Sequence, residues 1–271
     1  MLSEKHQKEY LKRINTSFAD NVSIDFLKQI HRAHLEEIPF ENLDITFGES
    51  IVLSPEKIYR KIVREHRGGF CYELNSCFDS LLTSLGFNTK KISAKVYNGG
   101  NYGPEFDHLC LIVDIEGTSY LVDVGFGDLF QTPLPINGVV SIEDYSSYKV
   151  SQSGCSYILL KSSDEKTWIP QYKFTLQERE ICEFSDMCNY HQTSVDSSFT
   201  SKTVCTRLTK SGGRITLSNN KKIETKGNTR HESVIPCLDS YTKLLKSDFG
   251  INLTAAQKTN KWFNRFRTSG T

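Results

Sequence analysis

Apolar residues along the first third of the chain recur at helical spacing. In VSIDFLKQIHRAHLEEIPFEN, Phe26, Leu27, Ile30 and Leu35 fall on one face, and Pro39 with the Phe-Glu-Asn after it ends the pattern. LSPEKIYRKIVREHRGG predicts a second helix, with Ser54 as N-cap, Pro55 at the first helical position and Ile58, Ile62 and Val63 on one side. Gly68 and Gly69 stop it. CYELNSCFDSLLTSLGF predicts a third, with Leu74, Phe78, Leu81, Leu82 and Leu85 as its stripe and Gly86 as its stop. Cys71 lies in the first turn of this third helix.

From about Lys90 the period changes to two. Ile92, Ala94 and Val96 alternate on one face of KISAKVYNGG. DHLCLIVDIEGTSYLVDVGFGD predicts two strands around a Glu116-Gly117 turn. SSYKVSQSG, CSYILLKSS and WIPQYKFTL predict further strands, and RITLSNNKKIET a hairpin on Asn219-Asn220. A last helix is expected from about Ser233 to a stop at Gly250. The pattern therefore predicts an α+β protein in three units: a helical unit over 1–85, a β-rich unit over 86–200 and a small α/β unit over 201–271.

Composition narrows the function. The 271 residues suffice for a full core without staples, and a net charge of +1 argues against a dedicated nucleic-acid or membrane-surface binder. The N-terminal stretch is polar and mixed in charge, without the apolar run of a secretory signal, and no segment reaches the length that spans a bilayer. The expected location is the cytosol, where the eight cysteines stay reduced. None forms a CxxC pair, and His31 and His34 on the first long helix have no obvious third ligand, so no metal site is expected.

Candidate chemistry starts at RGGFCYELN, residues 67–75. A thiol at a helix N-terminus meets unpaired N–H groups and the positive end of the macrodipole, which favour the thiolate. The glycines let the backbone approach closely, turn sharply and leave a way to the sulfur. Taken alone, Cys71 reads more readily as a small core residue behind an ordinary helix stop. The hairpin adds partners. With a two-residue loop, Ile115 faces Thr118, Cys110 faces Asp123, and His108 is the diagonal neighbour of Asp123 on the same face. A slip of one residue would separate them, and that face could also be merely solvated. Together the three residues supply a nucleophile, a base and a group that orients the base.

At this point the chain resembles the arylamine N-acetyltransferase family. The resemblance rests on IPFENLD at 38–44, RGGFCYELN at 67–75, DHLCLIV at 107–113 and LVDVGFGD at 121–128, in that family's order and spacing. It implies a helical bundle, a β-barrel and an α/β lid around a core like that of papain-type cysteine proteases. It implies a Cys71–His108–Asp123 triad and ping-pong transfer from acetyl-CoA, through an acetyl-cysteine, to an arylamine or hydrazine. It further implies an acceptor pocket at Phe40, Phe126 and Phe199, coenzyme contact near Gly125 and Gly127, and an Arg67–Glu41 ion pair that positions the catalytic helix. Ordinary core packing is the other reading of the three phenylalanines. The basic stretch from Lys210 to Glu232 is readable as a solvated face or as a lure for coenzyme phosphates. Two rivals use the same residues: a papain- or transglutaminase-like cysteine hydrolase, and a non-catalytic binding protein. Xenobiotic detoxification and a biosynthetic role both remain open.

Overall fold

The computed structural model describes residues 1–259. The N-terminal unit holds α1 (Glu4–Arg13), α2 (Ile24–Glu37), the two-residue strand β1 (Phe40–Glu41), α3 (Leu43–Phe47), α4 (Pro55–Tyr59) with a π-helical turn at Arg60–Arg64, and α5 (Cys71–Ser84). Ser54 and Pro55 occupy the N-cap and first-turn positions of α4, as the sequence predicts. Helix α1 escapes the sequence pattern because its buried side chains, Tyr10 and Leu11, cluster at its end behind a charged first half.

Eight strands form one antiparallel sheet: β2 (Asn88–Val96), β3 (His108–Ile115), β4 (Thr118–Val122), β5 (Leu134–Pro135), β6 (Ser141–Glu143), β7 (Ser146–Ser153), β8 (Ser156–Ser162) and β9 (Ile169–Glu178). Their order, β5-β4-β3-β2-β9-β8-β7-β6, curls into a nearly closed barrel. The β3–β4 register is the predicted one, with Ile115 opposite Thr118 and Leu111 opposite Val122. Glu116 and Gly117 both take positive φ, at 49° and 79°, the conformation a two-residue hairpin loop needs. Strand β3 is buried on both faces. Leu109, Leu111 and Val113 pack against the helices, while Cys110 and Ile112 point into the barrel with Leu159, Tyr172 and Phe174.

Two expected boundaries are corrected. Residues 181–201 are helical rather than part of a β unit: a 3-10 turn at Ile181–Phe184, α6 (Ser185–Thr193) and α7 (Ser198–Ser201). Phe184 and Cys188 pack into the same core as α5, so this segment returns to the helical side. The last long helix, α8 (Leu238–Phe249), begins after Ser233, which lies in a strand.

That strand is β13 (Thr229–Val234), the edge of a second sheet with β10 (Val204–Leu208), β11 (Arg214–Ser218) and β12 (Lys221–Lys226). A short helix, α9 (Ala255–Lys258), follows α8. The fifth strand of this sheet is β1, which pairs Phe40 with Thr206 and Glu41 with Cys205. The C-terminal sheet is thereby stitched to the helical unit at β1, whose Phe40 also bridges to Gly69, two residues before α5. The basic residues of 210–232 are largely paired: Lys210 with Glu37, Arg214 with Asp128, Lys221 and Arg230 with Glu232, and Lys222 with Asp248.

Candidate active site

Cys71 is the first residue of α5, and Phe70 at the N-cap is extended. The thiol is 3% exposed and free. Gly68 and Gly69 place it by close approach, because neither has a positive φ. A side chain on Gly68 would strike the Pro39 carbonyl, and one on Gly69 would meet the Glu73 carboxylate at 2.8 Å. The protein itself fills the space beside both glycines, which corrects the expectation that they open a path to the sulfur. Gly125 is the glycine that borders Cys71: a Cβ there would lie 2.8 Å from the Cys71 Cα.

His108 and Asp123 meet as the hairpin register predicts. The ring Nε2 donates to Asp123 Oδ2 at 2.7 Å. This leaves Nδ1 as the nitrogen free to serve the Cys71 sulfur, which lies near enough to help raise the ring's pKa. Neither group is solvated; His108 is 3% and Asp123 2% exposed. Burial on its own would strip the proton from the imidazole, but the Asp123 charge and hydrogen bond, then Cys71, outweigh it and push the His108 pKa up to about 10. Asp123 shows the converse: burial favours its neutral form, yet His108, Asn75 and the Gly125 N–H hold its pKa below the usual carboxylate value.

Asp123 is held from all sides. Asn75 Nδ2 donates to Oδ1 at 2.9 Å, the Gly125 N–H to the same oxygen at 2.9 Å, and the Tyr172 hydroxyl to Oδ2 at 3.0 Å. Asn75 also accepts the Val124 N–H at 2.9 Å and donates to the Leu109 carbonyl at 2.6 Å. Asn75 therefore ties α5 to β3 and to the segment that leaves β4. Its position was readable, four residues after Cys71 and so on the same helix face. Tyr172, on β9, gave no local signal. His31 is buried against the Gln131 and Asp123 carbonyls at 3.0 and 3.2 Å, and His34 against Tyr10 at 3.0 Å. Neither lies in a group able to hold a metal among the described residues.

Arg67 and Glu41 form the expected ion pair at 2.8 Å within a larger buried cluster. Arg67 also reaches Asp44 at 2.6 Å, and Lys61 bridges Asp44 and Glu73 at 2.7 and 2.8 Å. Burial works against the charge on Arg67, and Glu41 and Asp44 restore it, raising its pKa above the usual value. Glu73 Oε2 accepts the Phe70 N–H at 3.2 Å, so the cluster ends at the residue before Cys71.

Cys71 and His108 open on a cavity of about 630 Å³ that Phe40, Phe126 and Phe199 also line. The Phe126 ring stands edge-on to His108 with centroids 5.2 Å apart, and Phe199 lies 6.1 Å from Phe40. Gly125 lines the cavity, whereas Gly127, at φ 97°, turns the chain under the Phe40 ring. The arrangement can ionise a thiol, move a proton at one ring nitrogen and seat a flat ring beside the sulfur.

A fold of helices and a barrel-like sheet, with thiol, imidazole and carboxylate at their junction, has the parts an enzyme needs for covalent catalysis on sulfur, and the chain's relatives are acyltransferases. An N-acetyltransferase family model matches residues 23–258, and the chain belongs to the arylamine N-acetyltransferase family. It is 33% identical to a chicken pineal gland isozyme of arylamine N-acetyltransferase, over 91% of this chain and 94% of that one. It is 32% identical to human arylamine N-acetyltransferase 1, over 75% and 78%. Among solved structures, the Salmonella typhimurium arylamine N-acetyltransferase superposes with a TM-score of 0.87 at 26% identity, covering 95% of this chain and 97% of that one. The Bacillus cereus enzyme, described as having a unique Cys-His-Glu catalytic triad, superposes at 0.85 with 27% identity, over 93% and 100%. In the present chain the carboxylate bonded to the imidazole is Asp123. No helix among the described residues is long and apolar enough to cross a membrane.

Proposed function

We propose that this chain moves an acetyl group from acetyl-CoA to the nitrogen of an arylamine or arylhydrazine in two steps, through a thioester on Cys71. The observation that carries the reading is His108, hydrogen-bonded to Asp123 and lining with Cys71 the wall of one aromatic cavity. In the first step the Cys71 thiolate attacks the thioester carbonyl. The carbon–sulfur bond to coenzyme A breaks, and His108 gives its proton to the departing thiolate. In the second step the amine nitrogen attacks the acetyl-cysteine. Neutral His108 takes the amine proton, and Cys71 leaves as thiolate.

The same geometry supplies the change of role. Part of what raises the His108 pKa is the Cys71 sulfur. Acetylation removes that contribution while burial remains, so the ring becomes a base when the amine needs one. The Cys71 N–H, at the first position of α5, has no acceptor within its helix and is the donor assigned to the oxyanion. Phe40, Phe126 and Phe199 are assigned to the acceptor ring, Gly125 and Gly127 to the coenzyme side. Arg67 and Glu41 are assigned to holding the helix start. In this reading the helical unit is assigned the thiol, the barrel the His–Asp pair and the C-terminal unit the role of a cover.

Initial rates test the two-step scheme. With acetyl-CoA and an arylamine both varied, double-reciprocal plots are expected to be parallel, and coenzyme A to be released without an acceptor. Intersecting lines would instead indicate direct transfer within a ternary complex.

A further inference from the structure

One wall of the cavity is polar. Asp107, the residue before His108, and His191, on α6, both line it. His191 Nε2 stands 3.3 Å from Asp107 Oδ1, and Asp107 Oδ2 accepts the Val96 N–H at 3.2 Å. His191 is 8% exposed, and its Nε2 is buried without an aligned hydrogen bond.

The Ser197 hydroxyl donates to the His191 carbonyl at 3.2 Å and accepts the Phe199 N–H at 3.2 Å. His191 Nδ1 faces the same Ser197 Oγ at 3.3 Å. The Asp107 carboxylate, with Nε2 alongside it but not aligned, keeps accepting capacity toward the cavity. An incoming N–H or O–H satisfies this pair, and a carboxylate does not.

The charge of the whole cavity points the same way. Asp196 lines the rim as a second carboxylate, and among the described residues no Lys or Arg side chain lines the cavity. The Cys71–His108 pair is neutral overall as an ion pair, and again after acetylation. Two carboxylates against at most one His191 cation leave the cavity negative in every step.

We propose that Asp107, with His191 held against it, determines acceptor specificity. It selects arylamines and arylhydrazines whose second polar group is a hydrogen-bond donor or a cation, and it excludes those bearing a carboxylate. This rests on the acetyl-transfer reading above. Like charges brought together in a partly dry cleft repel far more than in water, whereas a buried donor that finds its acceptor is retained.

The test compares two near-isosteric acceptors, 4-aminobenzamide and 4-aminobenzoate, each referred to its uncatalysed reaction with a free acetyl thioester. The wild-type enzyme should favour the amide in kcat/KM by at least tenfold. Asp107→Asn keeps the shape and the acceptor for Val96 while removing the charge, and should shrink that ratio at least tenfold. A general structural disturbance would lower both rates and leave their ratio unmoved. A wild-type ratio near one, or a folded Asp107→Asn protein with an unchanged ratio, overturns the inference. If Cys71 never takes up the acetyl group, the transfer reading itself fails. If it does so with no preference between acceptors, only the specificity inference fails.

Discussion

Asp123→Asn is expected to lower kcat/KM for acetyl transfer by about 10³–10⁴-fold, a loss of roughly 4–5.5 kcal/mol of transition-state stabilisation. Asp123 accepts four hydrogen bonds, from His108, Tyr172, Asn75 and the Gly125 N–H. An asparagine replaces one accepting oxygen by an NH2 group. Whichever way the amide turns, it faces two donors that it cannot accept. If it faces His108, the ring is driven to the wrong tautomer. If it faces Asn75 and Gly125, one of the three bonds by which Asn75 ties the hairpin to α5 is lost. Either way the charge is gone, so the His108 pKa should fall from about 10 and the ring should lose its proton nearer neutrality. Single-turnover acetylation and an NMR titration of His108 would measure both. A folded variant that acetylates within tenfold of wild type would remove Asp123 from the machinery.

Arg67→Met is expected to cost about 3–5 kcal/mol of stability, the range seen when one partner of a buried ion pair is removed. Glu41 is fully buried, and Arg67 donates to it and to Asp44. Methionine fills much of the volume but leaves Glu41, Asp44 and Glu73 facing Lys61 alone. For a chain of this size the loss corresponds to a melting temperature lower by roughly 6–20 °C. Surface pairs of the same length are a useful contrast, since exposed ion pairs are typically worth about 1 kcal/mol or less. Lys8→Met, at an exposed pair with Glu4, should be nearly silent in the same denaturation series. An Arg67→Met midpoint matching that of Lys8→Met would show that the buried cluster is not what fixes the start of α5.

The parts of the site that were legible share a cause: short-range geometry determines them. Glu116-Gly117 demands a two-residue turn, and that turn sets the register placing His108 diagonal to Asp123. The Leu74, Phe78 and Leu81 stripe sets the helix that presents Cys71. The missed parts depend on distant or weak signals. Tyr172 reaches Asp123 across 49 residues of chain, and β1 pairs with a strand more than 160 residues later. Strand β13 is exposed at all six positions, so no apolar alternation marks it, and its last two residues fall within the helix expected from about Ser233. In 181–201 the buried positions Phe184, Cys188 and His191 do recur at helical spacing, but the segment between them is too polar to stand out. The two glycines before Cys71 were assigned to the right place for partly the wrong reason. Close approach to Pro39 and Glu73 requires them, and no opening lies beside them.

The central claim is that Cys71 carries the acetyl group between donor and acceptor. Intact-protein and peptide mass spectrometry test it directly, on enzyme incubated with acetyl-CoA and no amine. The account predicts one added acetyl group, located on the peptide containing Cys71, removed on addition of an arylamine and absent in His108→Ala. A folded, active enzyme that turns over without that thioester, or carries it on one of the other seven cysteines, would contradict the account.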